Sequence, residues 1–240
     1  MKNNAKVVIV TGAKRGIGKA ISKTFARESF NLALCSLDPD GVKSVLEEIN
    51  AENKDITVLY QNLDVSDESD VKDFIAAVID EFGKIDVLIN NAGVVRTGSV
   101  EKMSEDDWDL VLDTNTKGPF LMMKHVIPHM KNNKSGHIIN VTSIASKSGL
   151  RGFGAYCSSK FALLGLSLSV KEELRKDNIQ LTIVSPGAVD TDIWEYIEGD
   201  FDHTKMVTSE DIANAVLFAV KNSNSCTVDE IQVTPKLGKV

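Results

Sequence analysis

Three side chains that could transfer a proton lie in the second half of this sequence. Tyr156 and Lys160 are four residues apart, and Ser143 precedes the tyrosine by 13 residues. Residues four apart share one face of a helix, so the lysine ammonium can reach the phenol. A phenol titrates near about 10 and becomes a useful acid when a cation lowers that pKa. The set favours protonation of a carbonyl oxygen, although Tyr-x-x-x-Lys alone also occurs in amphipathic helices with a solvated lysine.

A glycine-rich turn near the N-terminus could bind a dinucleotide. Gly12 follows the first predicted strand, and Gly16 and Gly18 open the next helix. The first glycine permits a tight turn, the second lets the backbone approach a pyrophosphate, and the third lets the helix close on the sheet. The N–H groups at the helix start attract phosphates. Together with the proton-transfer set, this turn indicates hydride transfer on a nicotinamide cofactor.

The elements that must position these residues alternate between strand and helix. Short aliphatic or β-branched runs predict buried parallel strands at Val7–Val10, Leu32–Cys35, Ile56–Gln61, Val87–Ile89, His137–Val141, Leu181–Val184 and Val228–Val233. Helical patterns between them cover Gly16–Glu28, Pro39–Ala51, Glu68–Phe82, Glu105–Lys131, Ala155–Lys176 and Ser209–Val220. The alternation predicts an α/β fold in one domain, 1–240, a doubly wound parallel sheet of about seven strands with helices on both faces.

Composition limits the functional class and the location. A net charge of −7 argues against nucleic-acid binding, because phosphate neutralisation needs a basic face. No apolar run approaches the length of a membrane span. The three scattered cysteines fit a reducing compartment, and Cys157 is read as a packing residue because it faces away from Tyr156. The first strand begins too early for a signal peptide, so we expect a cytoplasmic protein.

The glycine spacing, Thr11-Gly12-x-x-x-Gly16-x-Gly18, differs from the G-x-G-x-x-G of most dinucleotide folds. It resembles the T-G-x-x-x-G-x-G signature of the short-chain dehydrogenase/reductase family. The resemblance covers nearly the whole chain. Its further matches are Asp64-Val65, Asn90-Asn91-Ala92-Gly93, Asn115, Ser143, Tyr156 with Lys160, and the loop Pro186-Gly187-x-Val189-x-Thr191.

The resemblance implies a catalytic set of Asn115, Ser143, Tyr156 and Lys160. Tyr156 would be the general acid or base, and Lys160 and the oxidised nicotinamide ring would lower its pKa. Lys160 would also hold the nicotinamide ribose. Family register selects Ser143 over Thr142 as the hydrogen-bond donor to the substrate oxygen. Asn115 would hold a water that links Lys160 to solvent.

The implied cofactor site draws on most of the matched segments. Its predicted residues are Gly12, Lys14, Arg15, Gly16, Ile17, Gly18, Ser36, Asp64, Val65, Asn91, Ala92, Gly93, Tyr156, Lys160, Pro186, Gly187, Val189 and Thr191. Ser36 is neutral where an NAD enzyme needs a carboxylate, and Lys14 and Arg15 could meet a 2′-phosphate. We therefore expect NADP, with NAD possible. Asp38 is the rival carboxylate, but Pro39 after it suggests a helix cap. Asp64 could instead cap a turn.

In the family, the segment corresponding to about 188–207 is a lid over the substrate. We predict a substrate pocket formed by Val94, Leu150, Phe153, Trp194 and Tyr196. The physiological substrate is expected to be a small carbonyl or alcohol. The acidic lid weakens the alternative of a 3-oxoacyl-carrier-protein reductase, because the carrier is itself acidic. A nucleotide-sensing or scaffold protein without catalysis is the alternative from another class.

Other features receive structural interpretations. His125 and His129 are four apart, but Pro128 lies between them and no carboxylate completes a set, so no metal site is expected. The acidic run from Glu105 is read as the first turn of a helix capped by Ser104. The two longest predicted helices carry apolar residues on more than one face, namely Phe120, Leu121, Phe161, Leu164 and Leu168. This predicts a homotetramer or a homodimer.

Overall fold

The computed structural model describes residues 5–38, 42–197, 199–222 and 226–236. They form seven parallel strands, β1 Val7–Thr11, β2 Asn31–Ser36, β3 Val58–Asn62, β4 Val87–Asn90, β5 Gly136–Val141, β6 Ile179–Pro186 and β7 Glu230–Val233. The sheet order is β3-β2-β1-β4-β5-β6-β7. The α-helices are α1 Gly16–Arg27, α2 Val42–Glu52, α3 Glu68–Phe82, α4 Glu105–Leu112, α5 Gly118–Asn133, α6 Gly154–Leu174 and α7 Ser209–Lys221. The predicted doubly wound fold is confirmed.

Two apolar layers hold the helices on opposite faces of the sheet. One layer joins α1, α2 and α7 to the strands, with Phe25 as its largest buried side chain. The other joins α3, α5 and α6, with Phe74 fully buried. Strand order reverses between β1 and β4, and in open α/β sheets ligands bind at such a switch point outside the carboxyl ends of the strands.

The helix predicted over Glu105–Lys131 is not continuous. A π-helical turn, Asp113–Lys117, separates α4 from α5. Pro119 has no N–H group and cannot donate to the Asn115 carbonyl four residues earlier, so the α-helical ladder is interrupted there. The turn instead bonds the Gly118 N–H to the Asp113 carbonyl. This interruption places Asn115 on a π-turn, a feature that often marks functional sites.

The ends of two helices bear on predictions from the sequence. The Ser104 hydroxyl accepts a hydrogen bond from the Asp107 N–H at 3.1 Å, which confirms the capped acidic first turn of α4. Helix α2 is described from Val42, and the predicted start at Pro39 lies outside the described residues. None of the described helices is long and apolar enough to span a membrane.

His137, at the start of β5, makes stability depend on pH. Its Nε2 lies 2.8 Å from the Thr182 hydroxyl, which donates its own proton to the Val228 carbonyl at 2.5 Å. Nε2 therefore carries the proton, and Nδ1 has no partner among the described residues. Burial, with a smaller effect from the charge of Lys6, lowers the pKa of His137 to about 4.

We expect the folded state to lose stability as pH falls from about 6.5 towards 4. In that window the unfolded state binds a proton that the folded state excludes, so the free energy of unfolding rises with pH. The loss should reach roughly 3 kcal/mol. Urea unfolding at a series of pH values measures it. His137→Gln should flatten this part of the profile, and an unchanged slope in that variant would contradict the assignment.

Candidate active site

A cavity of about 870 Å³ runs along the carboxyl edge of the sheet. Its wall brings together nearly all of the predicted site residues, although they come from segments far apart in the sequence. The predicted cofactor and catalytic residues on it are Gly12, Lys14, Arg15, Gly16, Ile17, Ser36, Asp64, Val65, Asn91, Ala92, Gly93, Ser143, Tyr156, Lys160, Pro186, Gly187, Val189 and Thr191. Gly18 and Asn115 lie behind this wall. The volume is within the range of small-molecule sites.

The glycine turn is shaped by backbone positions that side chains could not occupy. Gly12 has φ +65° and Gly16 has φ +52°, both in the left-handed region that favours glycine. A side chain on Gly18 would clash with the Gly12 carbonyl, so this glycine lets α1 pack closely on the turn. Arg15 precedes α1 and makes no side-chain capping bond. The first-turn N–H groups are therefore available for an anion at the cavity wall.

Thr11 and Asn91 join the glycine turn to the end of β4. The Thr11 hydroxyl accepts hydrogen bonds from the N–H groups of Asn91 and Ala92, both at 3.0 Å. The Asn91 carboxamide donates to the Thr11 carbonyl at 3.0 Å and to the Gly12 carbonyl at 3.3 Å. These four bonds fix the two loops at the switch point relative to each other.

Tyr156 and Lys160 lie on one face of α6, as their spacing predicts. The Lys160 ammonium is 5.7 Å from the centroid of the Tyr156 ring and donates to the Val141 carbonyl at 3.1 Å. Ser143 follows β5, and its hydroxyl accepts from the Ala145 N–H at 3.1 Å while also hydrogen bonding to Tyr156. The three groups therefore converge on one point of the cavity wall.

The surroundings shift both pKa values of this pair. Burial raises the pKa of the Tyr156 phenol, the hydrogen bond from Ser143 opposes that shift, and Cys157 adds to it. Burial lowers the pKa of Lys160 to about 8. Among the groups of the chain, desolvation outweighs the neighbouring side chains, whereas the lowered pKa predicted from the sequence depends also on the oxidised nicotinamide ring.

Asn115, which is predicted to be catalytic, is fully buried behind the cavity wall. Its Oδ1 accepts from the Val94 N–H at 2.8 Å, and its Nδ2 donates to the Val94 carbonyl at 2.9 Å and to the Ser159 hydroxyl at 3.0 Å. A side chain on Gly93 would lie 3.3 Å from the Asn115 oxygen and 3.7 Å from the Lys160 nitrogen. Asn115 thus ties the end of β4 to α6 beside Lys160.

Ser36, the predicted cofactor residue at the end of β2, uses its hydroxyl in hydrogen bonds within the chain. Ser36 donates to the Asp38 carbonyl at 3.1 Å and therefore accepts from the Tyr60 hydroxyl in their mutual contact. The Lys14 ammonium forms an ion pair with the Asp38 carboxylate. Asp64 accepts from the Ser66 N–H at 2.8 Å, so the turn-capping alternative is realised while the residue still lines the cavity.

Comparison with known proteins decides the family. The profile of the family described as short chain dehydrogenase matches residues 6–200. The chain belongs to the short-chain dehydrogenase/reductase family. It is 33% identical over 241 residues to a sepiapterin reductase of Chlorobaculum tepidum, covering 98% of both chains. It is 35% identical over 222 residues to a 3-oxoacyl-[acyl-carrier-protein] reductase of Staphylococcus epidermidis, covering 89% of this chain and 90% of the relative.

A solved structure shares both the fold and the sequence pattern. The alcohol dehydrogenase from the archaeon Thermococcus sibiricus, complexed with 5-hydroxy-NADP, superposes with a TM-score of 0.90. The two chains are 28% identical, and the match covers 99% of each. The protein is thus an oxidoreductase of the short-chain dehydrogenase/reductase family.

The predicted substrate residues of this dehydrogenase all border the same cavity, namely Val94, Leu150, Phe153, Trp194 and Tyr196. The Phe153 ring lies 6.4 Å from the Tyr156 ring in an edge-on arrangement. Trp194 donates from Nε1 to the Val189 carbonyl at 2.7 Å. Tyr196 differs from the others, because its hydroxyl accepts from Arg15 of the glycine turn at 3.4 Å.

Sequence reasoning missed part of the cavity wall near the C-terminal end of the described chain. Gln232, Thr234 and Pro235 border the cavity, and a side chain on Gly187 would lie 3.0 Å from the Pro235 ring. The sequence contained a signal for these residues, because it predicts a last strand that ends next to them. The carboxyl end of a parallel strand lies at the same edge of the sheet as the other site residues.

Proposed function

We propose that this dehydrogenase is an NADP-dependent oxidoreductase that reduces a ketone or aldehyde to an alcohol, or catalyses the reverse reaction. The convergence of Ser143, Tyr156 and Lys160 on the cavity that also contains the glycine turn carries the proposal. A proton donor and a dinucleotide-binding turn on one wall are what carbonyl reduction requires. NADP, when bound, supplies or accepts the hydride.

The donor set of the cavity fits a dinucleotide. The glycine turn offers backbone N–H groups and the positive end of the α1 dipole to phosphates. Lys14 and Arg15 add two cations at the same turn. A side chain on Gly93 would lie 3.3 Å from the Asn115 oxygen and 3.7 Å from the Lys160 nitrogen, so this glycine leaves room beside both groups. Pro186, Gly187, Val189 and Thr191 border the nicotinamide end in this assignment.

Tyr156 acts as the proton donor in reduction. Its raised pKa keeps the phenol protonated at neutral pH, so the proton is present, and a neighbouring cation is needed to make the phenol a useful acid. Ser143 donates a hydrogen bond to the same oxygen and stabilises the developing negative charge. The Lys160 ammonium, 5.7 Å from the centre of the Tyr156 ring, supplies a cation near the phenol and favours the phenolate after the transfer. Asn115 fixes the segment after β4 against α6, which positions Lys160.

Many side chains of the cavity wall outside the predicted cofactor site are apolar. They include Val94, Leu110, Ile144, Leu150, Phe153, Ile193, Trp194 and Ile197. Such a surface favours a carbonyl compound with an apolar body. Steady-state assays of a panel of ketones and aldehydes with NADPH and NADH, preceded by a thermal-shift screen, test the proposal. Binding of cofactor without turnover of any carbonyl or alcohol would favour the nucleotide-sensing alternative.

A 3-oxoacyl-carrier-protein reductase is the second candidate, because a relative with that name is 35% identical. The predicted lid, at about 188–207, carries Asp190, Asp192, Glu195, Glu198, Asp200 and Asp202. These charges oppose docking of an acidic carrier protein. Reduction of an acetoacetyl group on its carrier protein at a higher kcat/KM than that of small ketones would establish this alternative.

We expect a cytoplasmic protein. We also expect a homotetramer or a homodimer, because α5 and α6 expose large apolar side chains. Phe120, Phe161 and Leu168 are 44%, 47% and 51% exposed, whereas Leu121 on α5 is buried. A helix with apolar residues on two sides needs a second partner. Light scattering should therefore give a multiple of 26.1 kDa.

Phe161→Glu should shift the protein towards smaller species, because a charge would be buried at the interface. Val100→Glu is the matched control. Val100 is 81% exposed and lies on a short 3₁₀ turn rather than on α5 or α6. A wild-type protein that remains a monomer at micromolar concentration would contradict the prediction.

A further inference from the structure

Arg15 of the glycine turn contacts both ends of a short 3₁₀ helix in the lid, Asp192–Tyr196. Its Nη2 donates to the Tyr196 hydroxyl at 3.4 Å, and its Cζ lies 5.5 Å from the centroid of the Tyr196 ring. Its Nη1 is 3.7 Å from a carboxylate oxygen of Asp192. The hydrogen bond to Tyr196 is the largest influence that raises the pKa of Arg15. The guanidinium therefore joins the lid to the cofactor turn.

The Thr191 side chain of the lid also packs close to the Gly16 backbone of the glycine turn. A side chain on Gly16 would lie 3.1 Å from the Thr191 methyl group, the residue that begins this part of the lid. We call the Arg15–Tyr196 contact and the Gly16–Thr191 approach the strap. The glycine turn follows β1 and the lid follows β6, and β4 and β5 lie between those strands. The strap therefore spans the carboxyl ends of two strands, where Ser143 lies.

The lid side of the strap is fixed at its base. Trp194 donates to the Val189 carbonyl at 2.7 Å, and its ring lies 4.5 Å from that of Phe201. Val189 in turn forms a parallel bridge with Val207. Because the 3₁₀ helix is held by these contacts, the position of Tyr196 over the glycine turn is set by the lid and does not depend on Arg15 alone.

We infer that Tyr196 is a positioning residue for the cofactor, which acts through Arg15 to close the strap and slow dinucleotide release. The inference rests on the proposed function. A dinucleotide that reaches from Ser36 to Tyr156 must pass the strap, and its release requires the Arg15–Tyr196 contact to break. This changes the role expected for Tyr196, which the sequence suggested as a wall of the substrate pocket.

Arg15 can hold Tyr196 and a phosphate at the same time. A guanidinium has five N–H donors, and one of them donates to Tyr196. A 2′-phosphate on the remaining donors would restrict the guanidinium and strengthen its contact with the ring. Loss of the Tyr196 ring should therefore affect the release of NADPH more than the release of NADH.

The test is the dissociation rate of reduced cofactor, measured by stopped-flow displacement with excess oxidised cofactor and without substrate. Tyr196→Ala should release NADPH about tenfold faster, since it loses the ring and the hydroxyl. Tyr196→Phe keeps the ring and should stay within about threefold of wild type. Asp200→Asn is the matched lid control and should leave the rate unchanged. If Tyr196→Ala shows no cooperative thermal unfolding, Tyr196→Leu is measured in its place.

A double-mutant cycle with Arg15→Ala separates the strap from a general effect on the lid. If the strap acts as inferred, Tyr196→Ala should add little to the rate once Arg15 is gone. An unchanged NADPH release rate in Tyr196→Ala, with a raised KM for the carbonyl substrate, would overturn the inference and return Tyr196 to the substrate pocket. Calorimetric titration of the wild type with NADPH and with NADH distinguishes the two proposals. A protein that binds neither cofactor would contradict the proposed function itself.

Discussion

Tyr156→Phe should lower kcat for carbonyl reduction by at least about 10³-fold while cofactor affinity stays within about threefold. The variant keeps the ring that packs near Lys160 and Phe153 and removes only the group that donates the proton. Steady-state kinetics give the first quantity, and titration of the free enzyme with NADPH gives the second. Near wild-type kcat in this variant would show that another group is the acid.

Lys160→Ala is the matched comparison, because Lys160 is expected to have two functions. Loss of the ammonium removes the cation beside the phenol and the group assigned to the nicotinamide ribose. Both kcat and cofactor affinity should therefore fall. Thermal denaturation controls for folding, since Lys160 is buried and donates to the Val141 carbonyl. A Lys160 variant with normal cofactor affinity would limit its role to the phenol.

The sequence predicted the fold and most of the residues that border the candidate site, because both depend on local patterns. Aliphatic runs marked all seven strands, and the parallel arrangement brings their carboxyl ends to one edge. Candidate site residues that follow strands, such as Gly12, Asn91 and Ser143, could therefore be assigned to this edge from their position in the sequence alone. The four-residue spacing of Tyr156 and Lys160 likewise fixed their shared face on α6.

Three features of the structure could not be predicted from the sequence, and two of them depend on contacts between distant segments. The direction of the Tyr156 pKa shift follows from how much solvent the folded chain excludes, which no local pattern records. The contact between Tyr196 and Arg15 joins residues 181 positions apart. The π-turn at Asn115 had a local cause in Pro119, but a proline near a helix start also fits an uninterrupted pattern elsewhere. Long-range contacts therefore decide the first two features, whereas the third follows from a local signal that is ambiguous in the sequence.

The preference for NADP over NAD is expected to be at least about tenfold in kcat/KM, equivalent to about 1.4 kcal/mol. Arg15 is the residue on which this preference should depend most. The Arg15 side chain is 52% exposed, and its contacts with Tyr196 and Asp192 are long, at 3.4 and 3.7 Å. A 2′-phosphate offers shorter, charge-assisted bonds. Lys14 is a weaker candidate because it is paired with Asp38.

The double change Ser36→Asp and Arg15→Ser should reverse the preference. Ser36 already exchanges hydrogen bonds with Tyr60 and the Asp38 carbonyl, so its hydroxyl is poorly placed to serve a phosphate. An aspartate there would repel a 2′-phosphate and could accept both ribose hydroxyls. Asp38→Asn is the decisive control, because it frees Lys14 and removes the rival carboxylate, so NADP preference should rise. A wild type that prefers NAD tenfold, and loses that preference in Asp38→Asn, would show that Asp38 reaches the ribose.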